Sequence, residues 1–285
     1  MTLFFKTRQI EVATALYGAI VFAYVGSGTY TSIWLGLAVP FLGLAAVATQ
    51  SRSVRFWAVL GLAAIMAGLV AANYYISVNH GFMLIWVGLG LALACACDPG
   101  RDEVVLRRNA MLLISLLMFL ALIQKLRSAY YIEGDLLGGY IMQGGIFYNL
   151  LGWALPDWPG LVAEYRGVVA GLLEQPEAAS VAVMVPAAVV ALAWRMTMTS
   201  LVAQAVLEVM ILFRARLGMV LHLAILGFVA LVYATRNENL FLSVNCWLGY
   251  AMTDEKSAAI RPWYVVAIIY LLTTTHVGLR PWAIS

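Results

Sequence analysis

Long stretches of this chain are apolar on every face. Phe56 to Ala72 carries no charge and no alternation of apolar with polar positions. Several such runs reach roughly 17 to 25 residues, the length that crosses a hydrocarbon core about 30 Å thick. Barrel strands would alternate with period two, so the pattern predicts helices. In the first half these fall at 9–26, 31–49, 55–77, 80–97 and 109–126.

The second half is less regular. Segment 136–155 is apolar but broken by Gly138, Gly139, Gly144, Gly145 and Gly152, and it ends in Pro-Asp-Trp-Pro-Gly. It reads as a re-entrant or interfacial pair of short helices, tolerated where protein or a cavity covers the backbone. Residues 156–177, with Asp157, Glu164, Arg166, Glu174 and Glu177, read as a small outer cap. From Ala178 to Phe213 the chain is predominantly apolar, interrupted by Pro186, Arg195 and the run Thr197 to Ser200. A single crossing over 193–213 keeps Arg214 and Arg216 on the basic side, and helices at 217–234, 238–253 and 262–279 complete the set. The fold class is therefore all-α, a polytopic transmembrane bundle of about eight to nine spans plus the broken segment. Eight applies if 238–253 does not span. Residues 1–285 form one domain, without repeat or linker.

Charge sets the orientation. Basic residues cluster at the N-terminus (Lys6, Arg8), in the second loop (Arg52, Arg55) and in the fourth (Arg101, Arg107, Arg108), and not in the first or third. The Lys/Arg bias places the N-terminus in the cytoplasm and the end of the fifth helix, at Lys125, on the outer side. The first apolar run ends at Gly26 to Gly28 without a small-residue cleavage site and reads as a retained helix.

Composition agrees: 64% of the 285 residues are hydrophobic, 11% are charged and the net charge is +3, with a mean hydropathy of +0.91. So few basic residues in the loops exclude a nucleic-acid partner; the bilayer is the first partner. Cys95, Cys97 and Cys246 make no disulfide framework, and no metal-ligand spacing accompanies them.

Against that background four ionisable residues stand out, because one at the bilayer centre costs roughly 2.5 to 3.5 kcal/mol. Lys125 closes an apolar helix and is followed by Tyr130, Tyr131, Glu133 and Asp135. It is either an interfacial anchor or, withdrawn from water, a base or counter-ion. His80 follows Asn79 at the outer start of the fourth helix, the same depth as Lys125. It is either a helix-start histidine bonded to backbone and water or part of one outward pocket with Lys125. Glu208 precedes Arg214 and Arg216 near the inner end of its helix, and His222 enters from that side; these four suggest ion pairing between helices. Three histidines on separate segments give no metal signature.

With these residues in place, the chain resembles the membrane domain of the vitamin K-dependent gamma-carboxylase and its bacterial relatives, the HTTM-domain proteins. In that family an Asn-His pair opens a helix, and the next helix ends in Lys-Leu, a spacer, an aromatic and Glu-Gly. Asn79-His80 is similar to the first motif, and Lys125-Leu126, Tyr130 and Glu133-Gly134 to the second, one residue longer before Glu-Gly. Glu208 with Phe213, Arg214 and Arg216, and Asn239-Leu240-Phe241, resemble later stretches. The likeness covers residues 10–253.

The resemblance implies an integral protein of a bacterial inner membrane and a lyase or quinol-oxygenase chemistry. In that family a lysine acts as base on a reduced quinone, oxygen turns the quinol into a strongly basic alkoxide and finally an epoxide, and that base takes a proton from a glutamate side chain that then captures carbon dioxide. It implies Lys125 and His80 as catalytic residues, and Tyr130, Glu133, Gly138 and Gly139 around the quinone. Two departures qualify it. The family's histidine before Leu-Phe is replaced here by Thr235-Arg236-Asn237, and no counterpart of the carboxylase's large extramembrane domain follows. Carboxylation of a docked protein would need another subunit. The alternative is a non-catalytic membrane subunit of a larger complex, with Lys125 and Glu208 holding helices together. A transporter built of two matching, glycine-broken halves is disfavoured.

Overall fold

The apolar runs do fold as helices. A computed structural model describes residues 8–27, 33–73, 79–144, 151–153, 155–174, 185–235 and 238–277. Among them 87% of residues are helical and none is in a strand. The order is α1 (Gln9–Ser27), α2 (Ile33–Ala48), α3 (Arg52–Ala72), α4 (Asn79–Cys95), α5 (Arg101–Leu126), α6 (Ala129–Ile132) and α7 (Asp135–Met142). There follow α8 (Trp158–Glu174), α9 (Ala187–Leu212), α10 (Arg214–Leu217), α11 (Met219–Thr235), α12 (Asn239–Met252), a 3-10 turn at Ala258–Ile260 and α13 (Arg261–Val277). Among the described residues, four helices are long and apolar enough to cross a membrane: Gln9–Gly26, Arg52–Ala72, Arg101–Leu126 and Ala187–Leu212. Shorter apolar helices accompany them at Trp34–Ala48, Gly81–Cys95, Met219–Tyr233 and Ala258–Thr274.

Several boundaries differ from the sequence expectation for local reasons. Helix α5 starts at Arg101 rather than 109, because Asp98 accepts from the amides of Arg101 and Asp102 and acidic Asp102 and Glu103 suit a helix N-terminus. The segment expected as a cap is the 17-residue α8, held by fully buried Trp158 and by Val162. Pro186 precedes α9, which then runs unbroken through Arg195 and Thr197 to Ser200. Residues 178–184 of that run lie outside the described residues, as do Lys6, Gly145 and Arg236.

The chain divides into two compact units, and the divisions near 118 and 206 fall inside α5 and α9 rather than in a linker. In the first unit, Met1–Met118 with Leu207–Tyr233 and Asn237–Val277, α12 is central. Every residue from Leu242 to Met252 is buried, with α1, α4 and α13 against it. Trp247 donates its indole N–H to the Ala13 carbonyl at 2.7 Å. Gly249 lets α13 approach, because a Cβ there would stand 2.5 Å from the Tyr264 ring.

Fourteen residues of helix are only about 21 Å long, so the end carbonyls of α12 stop inside protein. Gln9 answers them. Its Nε2 donates to the carbonyls of Tyr250 at 3.0 Å, Ala251 at 3.2 Å and Thr253 at 3.2 Å. Arg261 in turn donates to Gln9 Oε1 at 3.0 Å and to Thr253 Oγ1 at 2.7 Å.

The basic segments gather at this same end. Arg8 bridges to Asp102, Arg52 donates to the Cys97 carbonyl at 3.0 Å, and Arg55 donates to the carbonyls of Ala46 and Thr49 at 3.1 and 2.9 Å. Beside them the Ser257 hydroxyl bonds Asp254 and holds its carboxyl below the usual range. The segments grouped by charge in the sequence are thus grouped in space.

Gln9→Met keeps the length of the side chain and removes the amide. It should cost about 1–3 kcal/mol, the penalty for buried polar groups left without partners. Thermal unfolding in detergent measures this, and an unchanged midpoint would show that the α12 terminus is satisfied without Gln9.

Candidate functional site

The second unit, Phe119–Val206 with two short outlying pieces, contains the stretch around Lys125. Helix α5 ends at Leu126, and Ser128 caps α6 by accepting from the Tyr131 amide at 3.3 Å. That cap turns Tyr131 into the unit, where it is buried and donates its hydroxyl to Ser200 Oγ at 3.1 Å. Lys125 Nζ donates to Gln204 Oε1 at 2.7 Å and lies 5.1 Å from the centroid of the Tyr131 ring. Ser200 and Gln204 are one turn apart on α9, so the two bonds tie the end of α5 and the whole of α6 to one helix face.

Gly134 forms the next turn with φ +88°. A Cβ there would stand 3.0 Å from the backbone nitrogen of Trp194 and 3.2 Å from the Ala193 carbonyl carbon. Only glycine allows both the left-handed conformation and this approach of the α6–α7 turn to α9. Helix α7 then packs Leu137, Ile141 and Met142 against Trp158 and Val162 of α8 and Val189 and Ala193 of α9. Arg166 Nε closes the corner on the Gln143 carbonyl at 2.8 Å.

This packing leaves a cavity of about 220 Å³ that collects all four residues expected around a cofactor, Tyr130, Glu133, Gly138 and Gly139. Asp135 and Tyr165 join its polar lining, and Met142, Val190 and Ala193 supply apolar wall. The Tyr130 and Tyr165 hydroxyls converge near Gly139: a Cβ there would lie 3.7 and 3.5 Å from them. Burial, followed by the nearby Tyr165 and Asp135, raises the Tyr130 phenol above its usual range and keeps it a hydrogen-bond donor.

The other expected residues lie elsewhere. Lys125 is not among the described walls of the cavity. His80 sits in the first turn of α4, in the first unit, and its side chain lies outside the described residues. Glu208 is also in the first unit, nearly buried, with Oε1 accepting from Ser115 Oγ at 2.9 Å and Oε2 without a hydrogen-bond partner. His222 faces Tyr264, Nδ1 to hydroxyl 3.1 Å. Arg214 and Arg216 are exposed on α10. No Glu208–Arg bridge is therefore formed among the described residues, and Ser115 takes the place expected for a charged partner. No group of three His, Cys, Asp or Glu able to hold a metal occurs among the described residues.

Sequence reasoning missed Ser115, Ser200 and Gln204. A signal for two of them was present: Thr197, Ser200 or Leu201, Gln204 and Glu208 recur at helical spacing, and Thr197, Gln204 and Glu208 are buried. No family model, curated protein or solved structure matches the chain.

Gly134→Ala should cost about 1–3 kcal/mol, the usual range for a non-glycine residue held at positive φ, with the backbone contact adding to it. Loss of α7 and α8 protection in hydrogen exchange, with the first unit unaffected, is the expected pattern. Unchanged exchange would show that the turn relaxes freely.

Proposed function

We propose that this is an integral membrane protein with its N-terminus in the cytoplasm, of the carboxylase-like kind. In that role it uses a reduced quinone or a similar lipid-soluble cofactor at the outer face of a bacterial inner membrane. The observation that carries this is the convergence of Tyr130, Glu133, Gly138 and Gly139 on one cavity. Its 220 Å³ is below the roughly 300–1,000 Å³ of a pocket for a whole drug-sized ligand. It therefore suits a headgroup whose tail remains in lipid. Glu133 and Asp135 would accept from the hydroxyls of a quinol, Tyr130 and Tyr165 would add donors, and Met142 and Ala193 would supply apolar wall. A bound quinol supplies, with oxygen, the strong base of the carboxylase-like reaction. The resemblance alone assigns proton transfer to Lys125 and substrate positioning to His80, neither of them a described wall of this cavity.

The bond from Lys125 to Gln204 favours a second reading, a non-catalytic subunit in which the lysine is a tether between α5 and α9. Lys125→Ala separates the two. As a catalytic base, its loss abolishes quinone-dependent turnover and leaves the thermal midpoint of the folded protein nearly unchanged. As a tether, its loss lowers the midpoint and the yield of assembled protein together.

Mass spectrometry of co-purifying lipids and quinones tests the cofactor. The expected result is a quinone retained by the wild type and depleted in Glu133→Gln. Absence of any bound quinone, with none taken up on addition, would remove the cofactor from the reading.

A further inference from the structure

We propose that the end of α5 carries a phospholipid site, in which Arg127 holds the phosphate and Leu120 and Ile123 lie along the upper part of an acyl chain. The site shares no described wall residue with the cavity assigned to the quinone.

It is an open groove of about 280 Å³, lined among the described residues by Leu120, Ile123, Gln124, Arg127 and Ser128. These positions recur at helical spacing and so share one side of the helix. The Arg127 amide still donates to the Ile123 carbonyl at 3.0 Å, and the row therefore continues through the guanidinium although α5 ends at Leu126. Polarity changes in one direction along it. Leu120 and Ile123 are exposed apolar side chains, and Gln124 and Arg127 are exposed polar ones. Leu120 and Arg127 are about 10 Å apart along the axis, the scale of a headgroup and the first methylenes below it.

Two further observations give the surroundings and the charge of the occupant. Helix α5 is long and apolar enough to cross a membrane, and only 17% of its apolar window is buried within the protein. Most of its surface therefore faces outward, and exposed Leu120 and Ile123 meet lipid chains. The charge at its end is also divided. Lys125 turns to Gln204 Oε1 and the Tyr131 ring, whereas none of the ion pairs among the described residues includes Arg127. No described wall residue of the groove is acidic.

An arginine fork matches the oxygens of a phosphate in two parallel hydrogen bonds. Ser128 Oγ accepts from the Tyr131 amide at 3.3 Å and keeps its own O–H to donate, and Gln124 adds an amide. A water-soluble anion would use these donors and leave the apolar half of the groove unfilled. A purely apolar molecule would fill that half and leave the guanidinium unmatched. A phospholipid answers both, and the bilayer supplies it at the depth where a spanning helix ends.

The test uses protein purified in an uncharged maltoside detergent and phosphatidylglycerol with a diazirine near the top of one acyl chain. The matched diacylglycerol, which lacks the phosphate, serves as the control, and labelled residues are read by peptide mass spectrometry. The phospholipid should label residues 116–124 in preference to the diacylglycerol. Labelling should fall about fivefold in Arg127→Gln, the upper range for an exposed ion pair. Arg127→Lys, which keeps the charge, should retain most of it. Thermal unfolding checks that both variants are folded, as expected for an exposed side chain. Equal labelling by the two probes, or labelling unchanged in Arg127→Gln, overturns the site. Displacement of the phospholipid by an equimolar fatty acid assigns the groove to a single-chain carboxylate and overturns the phospholipid as its occupant.

Discussion

The hydrogen bonds from the Gln9 amide to the last carbonyls of α12 are the constraint on which the first unit depends. A helix about 21 Å long cannot carry its own termini to water when its whole circumference is covered. The carbonyls of Tyr250, Ala251 and Thr253 share the two N–H groups of one primary amide, and Tyr250 accepts besides from the Thr253 amide and hydroxyl. Gln9 is itself fixed, since Arg261 donates to its oxygen and its backbone amide donates to Glu103 at 3.2 Å. The start of α1, the end of α12, the start of α5 and the start of α13 are therefore specified together. The basic loops collect at this end because the polar groups of the core emerge there.

The second unit solves a different problem. Its helices α6 and α7 are too short to be stable alone, so they are held by what they touch. Tyr131 and Lys125 fasten the chain to Ser200 and Gln204, and Gly134 brings the next turn against the backbone of α9. The cavity follows from these attachments. With small residues at 138 and 139 and two tyrosines arriving from α6 and α8, a space remains that no side chain of the packed cluster fills.

Helix class and most helix positions were legible in the sequence, because runs apolar on all faces leave few other structures. The grouping of the basic segments was legible as well. The start of α5 was not, since residues 101–108 are polar and their burial on one side, through Asp102 and Leu106, depends on neighbours. The four cavity residues were named through a family likeness rather than from spacing. The polar partners Ser115 and Gln204 escaped notice because an uncharged residue in an apolar run draws little attention beside a lysine or glutamate.

The chain holds its charged groups in two ways. The ion pairs Arg8–Asp102, Arg52–Asp98 and Arg55–Glu11 lie at the polar end of the first unit; each has a partner that reaches water, while Asp102 and Arg55 are themselves buried. Buried Glu208 meets a serine and buried His222 a tyrosine, and Lys125, in the last turn of α5, meets an amide oxygen and an aromatic ring. Burying an ion pair requires stripping water from two charges, and the attraction between them often fails to repay it. A neutral partner requires desolvating one charge and still supplies a directed hydrogen bond. It also leaves the net charge of the site uncancelled by that partner. A group held in this way is oriented by a directed hydrogen bond to which its partner brings no charge of its own.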